Sequence, residues 1–359
     1  MKSFLDSTYG DVDASTIIAS LGSFDNLEFD PKLMYCPARY GARIAQAFTA
    51  TDASIAIREV EEVIYVDDLK THDDKYCFTD GVGTMSKELA IEISQELRSK
   101  RRRGRYRKNY PCAYQVRFMG SKGMLSVDHR LEGRVVCLRP SMIKFEAPQS
   151  REMEIARAFD RPAPYFLNRP LIMLLEGLGV PYEVFKEFQD KAVRETLQLT
   201  QSLVHAARTL ENHGLGTSYR LPSVMLGLEK LGVYDIPNSD FYRKMLQYAI
   251  NHILRVLKNN ARIPIPDAWT LVGVADVHKF LKEGEIFACI KPLYGSTIYL
   301  EGPVLISRSP TIHPGDVQIA NAIGNPPEGS CFSKEALPNT VVFSVLGTLI
   351  MPFLAVQDD

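Results

Sequence analysis

Four things are missing from this chain, and each absence narrows what it can be. No Cys-x-x-Cys pair occurs; the six cysteines at 36, 77, 112, 137, 289 and 331 are scattered. That excludes the common zinc-ribbon spacings and reads instead as free thiols in a reducing compartment. No apolar run approaches the roughly 20 residues a transmembrane helix needs, and the N-terminus lacks a charged-then-apolar leader. A cytoplasmic or nuclear protein with no membrane partner is expected. An excess of one charge is missing too: 42 Lys and Arg stand against 43 Asp and Glu, a net charge of −1. No global field draws such a chain to nucleic acid, so any attraction has to be local. Finally, the Gly-x-x-x-x-Gly-Lys-[Ser/Thr] spacing of a P-loop is absent. With 45% hydrophobic and 24% charged residues, the 359 positions suffice for a sizeable core and two or three domains.

What is present centres on residues 113–145. Tyr114, Val116 and Phe118 alternate with Gln115 and Arg117, the period of a half-buried strand. Gly120 and Gly123 flank Lys122, permitting a sharp turn or close approach of a ligand. A second apolar run, Val135 to Leu138, leads through Arg139-Pro140-Ser141 to Lys144. A flexible ammonium beside a rigid sheet suits a point-like phosphate contact. The same pattern also fits ordinary surface lysines at strand ends.

Before this stretch, Ala42, Ile44, Ala45 and Phe48 are spaced for one face of a helix, and Glu59 to Asp74 reads as an acidic, solvated surface. A short strand at Tyr76-Cys77-Phe78 is expected to lead into an Asp80-Gly81-Val82-Gly83 turn. Ser86 then caps a helix with Leu89, Ala90, Ile93 and Leu97 on one face. A strand, glycine turn and helix N-terminus can together hold an anion. Asp80 is a candidate there, or simply a turn-forming aspartate. Residues 100–108 read KRRRGRYRK: Lys100, Arg101, Arg102, Arg103, Arg105, Arg107 and Lys108 around one tyrosine. Such a run fits an RNA backbone, a nuclear-targeting patch or a solvated loop.

Beyond Phe145 the chain is expected to be largely helical. One apolar stripe runs from Phe185 to Leu210 and stops at His213-Gly214; another begins at Ser239 or Asp240 and carries Met245, Ile250, Ile253, Leu254 and Leu257. His205, His213 and His252 have no partners at ligand spacing and read as structural. Strands return at 269–274, 286–290, 297–300 and 303–307, as expected of a small barrel. Arg308 and His313-Pro314-Gly315-Asp316 follow, fitting acid–base or metal chemistry, or a turn closed by Asp316 on its own backbone.

The blocks FTDGVGTMS (78–86), YQVRFMGSKGMLSVD (114–128), LRPSMIKF (138–145) and HPGD (313–316) resemble the eukaryotic RNA-dependent RNA polymerases of RNA silencing. PARYGARIAQAF (37–48) and NRPLIMLLEGLGV (168–180) look like the same family, and together the blocks cover roughly residues 36–345. The resemblance implies an α+β fold: two double-psi β-barrel units, the second incomplete, joined by a helical connector. The expected domains are a mixed region at 1–75, a first barrel at 76–150 with a basic insert at 100–108, a connector at 151–262 and a partial second barrel at 263–359.

It also implies Lys122 and Lys144 as catalytic lysines. Substrate or RNA contacts are expected at Asp80, Arg117, Arg139, the basic run, Arg308, His313 and Asp316. RNA template, RNA product and nucleoside triphosphates would be the partners and Mg²⁺ the cofactor. The family's metal loop, Asp-x-Asp-Gly-Asp, occurs nowhere in the chain, so no metal ligand is assigned. The expectation is a chain truncated before that loop: an inactive fragment of a polymerase or, alternatively, a non-catalytic RNA-binding module.

If the basic run tracks a phosphate backbone, the log of RNA affinity should fall linearly with the log of salt concentration. Changing Arg101, Arg102 and Arg103 together to Ala should flatten that slope by about 2, at roughly 0.7 per phosphate contact on single strands. An unchanged slope returns the run to targeting or loop.

Overall fold

The computed structural model describes residues 14–25, 27, 30–46, 49–100, 110–216, 219–232, 239–292 and 295–347. The fold is mixed α+β and divides into two units. The first holds Met1–Pro162, Leu271–Ile306 and Gln318–Asp359; the second holds Ala163–Thr270 and Ser307–Val317.

In the first unit, helices α1 (Ala14–Leu21) and α2 (Pro37–Ala45) precede a seven-stranded sheet. Its strands are β1 (Asp52–Ala56), β2 (Val63–Tyr65), β3 (Val82–Met85), β4 (Ala113–Phe118), β5 (Ser121–Val127), β6 (Val136–Leu138) and β7 (Glu152–Ala158), in the spatial order β1-β7-β4-β5-β3-β6-β2. Helix α3 (Lys87–Lys100) follows β3 and buries Leu89, Ala90, Ile93 and Leu97, the face its spacing predicts. Ser86 Oγ accepts the Leu89 amide at 3.2 Å and caps it. Strand β4 keeps its alternation: Tyr114, Val116 and Phe118 are buried, while Gln115 and Arg117 are half-buried.

Two expectations are corrected here. Tyr76-Cys77-Phe78 forms no strand, only an isolated bridge between Cys77 and Lys70; the strand lies beyond the turn, at β3. Gly83 belongs to that strand. A Cβ there would lie 2.3 Å from the Cys137 carbonyl oxygen, so this glycine serves close packing of β3 on β6 rather than a turn. Likewise, the chain beyond Phe145 does not go directly to helix. Met153 and Ile155 are buried in alternation with Glu152 and Glu154, the pattern that makes β7 a strand.

In the second unit, β8 (Ala163–Phe166) pairs antiparallel with β9 (Pro264–Thr270). Between them run α4 (Arg169–Gly177), α5 (Tyr182–Leu197), α6 (Leu203–Asn212), α7 (Leu221–Lys230) and α8 (Asp240–Asn260). The stripe from Phe185 to Leu210 is neither one helix nor one surface: Phe185 and Phe188 pack with Leu167, Leu171 and Ile263, apart from Leu199 to Leu210. A 3₁₀ turn at Gln198–Gln201 interrupts it, and Ser202 Oγ restarts the helix by accepting the His205 amide at 3.3 Å. Leu199, Leu203, Ala206 and Leu210 pack with Leu246, Ile250 and Ile253 of α8, while Met245 and Leu254 sit half-buried beside them. His213 packs on Phe166 at 5.3 Å; burial first, then Arg262 and His252, pushes its pKa down to about 4. It is therefore neutral at pH 7.

The expected strand through 269–274 is broken at Leu271. Its second half, β10 (Val272–Ala275), belongs to the first unit, with β11 (Glu285–Ile290), β12 (Ile298–Tyr299), β13 (Glu301–Ser307), β14 (Val317–Ile323), the short helix α9 (Cys331–Lys334) and β15 (Thr340–Phe343). These strands form a second sheet in the order β10-β15-β11-β14-β13, with β12 alongside β11.

That order repeats five strands of the first sheet, all but its outer pair β7 and β1. Leaving β12 aside, both β2-β6-β3-β5-β4 and β10-β15-β11-β14-β13 read first-fifth-second-fourth-third along the chain. The directions repeat as well. β2 is parallel to β6 and β3 to β5, as β10 is to β15 and β11 to β14. β3–β6 and β11–β15 are both antiparallel. One apolar core serves both sheets, joining Met85, Leu125 and Val136 with Val274, Phe287, Phe332 and Val342. Phe287 and Phe332 stack in it with centroids 4.3 Å apart. Among the described residues, no helix is long and apolar enough to cross a membrane.

Gly120 has φ +81, and a Cβ there would lie 1.9 Å from the Phe145 carbonyl oxygen. Gly120→Ala should destabilise the chain by roughly 3 kcal/mol or more in denaturant unfolding, since both strain and backbone overlap oppose it. Gly41→Ala, on the exposed face of α2 with open space around it, should stabilise by about 0.5–1 kcal/mol. Equal effects at both positions would contradict the packing described.

Candidate functional site

The glycine-flanked segments of the first unit meet at one carboxylate. Asp68 Oδ1 accepts the Thr79 hydroxyl at 2.8 Å and the Ser141 hydroxyl at 2.8 Å; Oδ2 accepts the Ser141 amide at 2.9 Å. The Gly81 amide donates to Ser141 Oγ at 3.0 Å, and the Leu69 amide to Thr79 Oγ1 at 2.9 Å. Three segments, 67–69, 79–81 and 139–144, are thereby held together. The acidic stretch 59–74 is therefore not wholly a solvated surface: Asp68 is half-buried and fully used. Sequence reading passed over Asp68, Thr79 and Ser141, because a lone aspartate in an acidic run gives no local sign of its distant partners.

Lys122 and Lys144 stand on adjoining segments. Ser121 bridges Ile143 antiparallel, and the Lys144 amide donates to the Gly120 carbonyl at 3.1 Å. Lys144 Nζ donates to the Ser141 carbonyl at 2.6 Å, so the Asp68 node holds both the main chain and the ammonium of this segment. Gly81 lies against the other side of Lys122: its carbonyl accepts the Met124 amide at 2.8 Å, and a Cβ at Gly123 would come within 2.2 Å of that carbonyl oxygen. Asp80, half-buried, sits beside it. The backbone thus sets the segments that carry Asp80, Lys122 and Lys144 against one another.

The two arginines differ. Arg117 is the cross-strand partner of Lys122 on one side and of Glu154 on the other, giving a row across three strands. Its Nε is buried without a hydrogen-bond partner, and burial, partly offset by Glu154, lowers its pKa. Arg139 is 6% exposed, and a terminal guanidinium nitrogen donates to the Asp67 carbonyl. It thus helps to fix the 67–69 segment. Burial, with the Asp68 carboxylate second, pushes the Cys77 thiol up to about 11, which excludes a thiolate nucleophile beside Asp80.

Arg308, His313 and Asp316 lie in the second unit. Asp316 Oδ2 accepts the Ile312 and His313 amides at 2.8 and 2.9 Å, and His313 Nδ1 accepts the Gly315 amide at 3.0 Å. This reciprocal cap occupies the Asp316 oxygen and the His313 nitrogen in backbone contacts. Desolvation is the largest single influence and opposes the shift, but the two amides, Arg308 and His313 together hold the Asp316 carboxyl below its ordinary range. Within the basic run, Lys100 Nζ donates to the Ala53 carbonyl at 2.8 Å and pairs with Glu96 at 3.3 Å. Arg101, Arg102, Arg103, Arg105, Arg107 and Lys108 lie outside the described residues.

Magnesium binds through hard oxygen ligands in octahedral array. Among the described residues, the group with three ligand atoms close enough to share an ion is Asp128, His129 and His278. Two imidazoles and one carboxylate do not fit Mg²⁺. No step through that ion follows from these residues.

The profile of the family described as RNA dependent RNA polymerase matches residues 1–353, and the chain belongs to that family. Over 320 residues it is 30% identical to the probable RNA-dependent RNA polymerase 1 of Oryza sativa subsp. japonica, covering 87% of this chain and 40% of the rice protein. Against RNA-dependent RNA polymerase 1 of Arabidopsis thaliana it is 29% identical, covering 88% of this chain and 27% of the other. A solved structure titled RNA dependent RNA polymerase QDE-1 from Thielavia terrestris superposes with TM-score 0.70 at 18% identity, over 94% of this chain and 38% of that one. The chain therefore spans 40% or less of the length of these relatives.

Asp68→Ala should remove three hydrogen bonds at once, leaving the Ser141 amide unsatisfied. A loss on the order of 3 kcal/mol is expected in denaturant unfolding, against about 1 kcal/mol for Ser141→Ala. Amide exchange at Leu69 and Ser141 should quicken in Asp68→Ala. Wild-type protection there would show that the node holds nothing together.

Proposed function

We propose that this chain carries the phosphate-binding half of a silencing-type RNA-directed RNA polymerase, a nucleotidyltransferase that copies an RNA template into double-stranded RNA. The observation that carries the reading is the seating of Lys144 against Gly120, beside the strand that bears Lys122. Two ammonium groups on rigid, glycine-lined backbone suit the triphosphate of an incoming nucleotide, where negative charge concentrates during transfer. Arg117, with an unpartnered buried N–H next to Lys122, supplies a further donor. Arg139 acts by positioning the segment that Asp68 ties down.

The repeated strand order supports reading each sheet as a double-psi β-barrel, with the helices of the second unit as connector between them. The expected divisions at 76–150, 151–262 and 263–359 shift in this reading: β1, β2 and β7 join the first barrel, and Ala163–Thr270 make up the connector. Because the described residues offer no oxygen-ligand cluster for Mg²⁺, the 359-residue chain by itself does not polymerise RNA in this reading. The magnesium ligands would come from an Asp-x-Asp-Gly-Asp loop that the chain does not contain.

The test uses a fluorescent nucleoside triphosphate analogue and a labelled single-stranded RNA. Lys122→Ala and Lys144→Ala should each weaken triphosphate binding about tenfold, as expected for loss of a charge-assisted contact. RNA affinity should change less, and primer extension with Mg²⁺ or Mn²⁺ should yield no product. Equal losses for triphosphate and RNA would make the lysines backbone contacts of an RNA-binding module. Extension abolished by Lys122→Ala would overturn the claim of inactivity.

A further inference from the structure

Strand β5, which begins with Lys122's segment, ends at Val127, and the next two residues are Asp128 and His129. On the other side of the same unit, the loop after β10 carries His278. Asp128, His129 and His278 offer one carboxylate oxygen and two imidazole nitrogens, all within 4.8 Å of one another. Asp128 is 5% exposed, and the two histidines are half-buried. Their rings stack at 4.8 Å with planes 23° apart. From this geometry we propose that Asp128, His129 and His278 bind a borderline divalent metal of the zinc class, clipping the end of β5 to the β10–β11 loop.

The distances favour a metal over a simple ion pair. His278 Nε2 lies 3.4 Å from Asp128 Oδ1, long for a charge-assisted hydrogen bond. It matches the separation of about 3.4 Å between two ligand atoms at tetrahedral zinc, each about 2.0–2.1 Å from the ion. The third donor has only to close onto that edge.

The surroundings act as a supporting shell. Asp276, 1% exposed, accepts the His278 amide at 3.1 Å and the Leu281 amide at 2.7 Å, fixing the loop that presents the imidazole. Arg130 pairs with Asp128 Oδ2 at 3.4 Å and its amide donates to Oδ1 at 3.0 Å, which orients the carboxylate and balances its charge. A donor set of two nitrogens and one oxygen selects zinc, cobalt or nickel over magnesium. With three protein ligands the fourth position is left to water. The site is distinct from Lys122 and Lys144 and does not depend on the polymerase reading.

Cobalt(II) reports the site directly, because its visible absorption intensifies in four- or five-coordinate nitrogen–oxygen environments. The purified, metal-stripped 359-residue chain, free of affinity tag, should bind one equivalent of Co²⁺ with such a band, and Zn²⁺ should displace it. His278→Ala should weaken binding at least about tenfold. So should His129→Ala, which changes a different segment of the chain. Zn²⁺ should raise the thermal midpoint of the wild type and not that of His278→Ala. Mg²⁺ should do neither. No band at one equivalent, or a band that survives both histidine variants, would overturn the proposal and leave Asp128–His278 a plain hydrogen-bonded pair.

Discussion

Everything proposed for the lysine site depends on the Asp68 carboxylate. Three donors from two distant segments converge on its oxygens, and a fourth contact from Gly81 reaches the same Ser141 hydroxyl. A side chain with two oxygens is well suited to this, since each oxygen can accept more than one bond. Serine at 141 donates twice, from amide and hydroxyl, and its carbonyl receives Lys144. The residue that binds the node and the residue that holds the ammonium are therefore the same. A flexible lysine held this way loses less freedom when an anion arrives, which is how a fixed scaffold improves a weak contact.

Around the node, glycine sets how close the strands come. At 83, 120 and 123 a Cβ would meet a carbonyl oxygen of a neighbouring segment within about 2 Å (2.3, 1.9 and 2.2 Å). Without those glycines β3, β5 and the 143–145 segment could not pack as they do. The second sheet reproduces the strand order with a different insertion pattern, since its third and fourth strands, β13 and β14, are separated by the Ser307–Val317 part of the second unit. A pairing pattern this particular, found twice in one unit with a shared core, is a stronger mark of architecture than strand content alone.

Much of the fold was legible in the sequence. Period-2 alternation located β4, helical spacing located α3 and α8, and the apolar runs at 286–290 and 303–307 fell on β11 and β13. What misled was glycine and short-range charge. Gly83 looks like a turn residue in isolation and is a packing residue in space. Glu152 and Glu154 hid a strand behind their charges. Of the site, both lysines were marked by the family resemblance, Lys122 also by its flanking glycines, whereas Asp68, Thr79 and Ser141 were not. Nor was the Asp128–His129–His278 group, whose members lie some 150 positions apart, as residues 128 and 278 show, with no motif spacing. Contacts between distant segments leave no local pattern to read.

The place of β15 in the second sheet has a consequence for how the chain comes into being. β15 lies between β10 and β11, yet it follows both by 50 residues or more, at 340–343 against 272–275 and 285–290. The first sheet has all its strands once residue 158 has left the ribosome. The second waits for the strand that joins β10 to β11, and both of these lack that neighbour in the interval. Exposed strand edges of that kind recruit other chains. Between residues 290 and 340 the growing chain thus carries two strand edges whose shared partner has not yet been made.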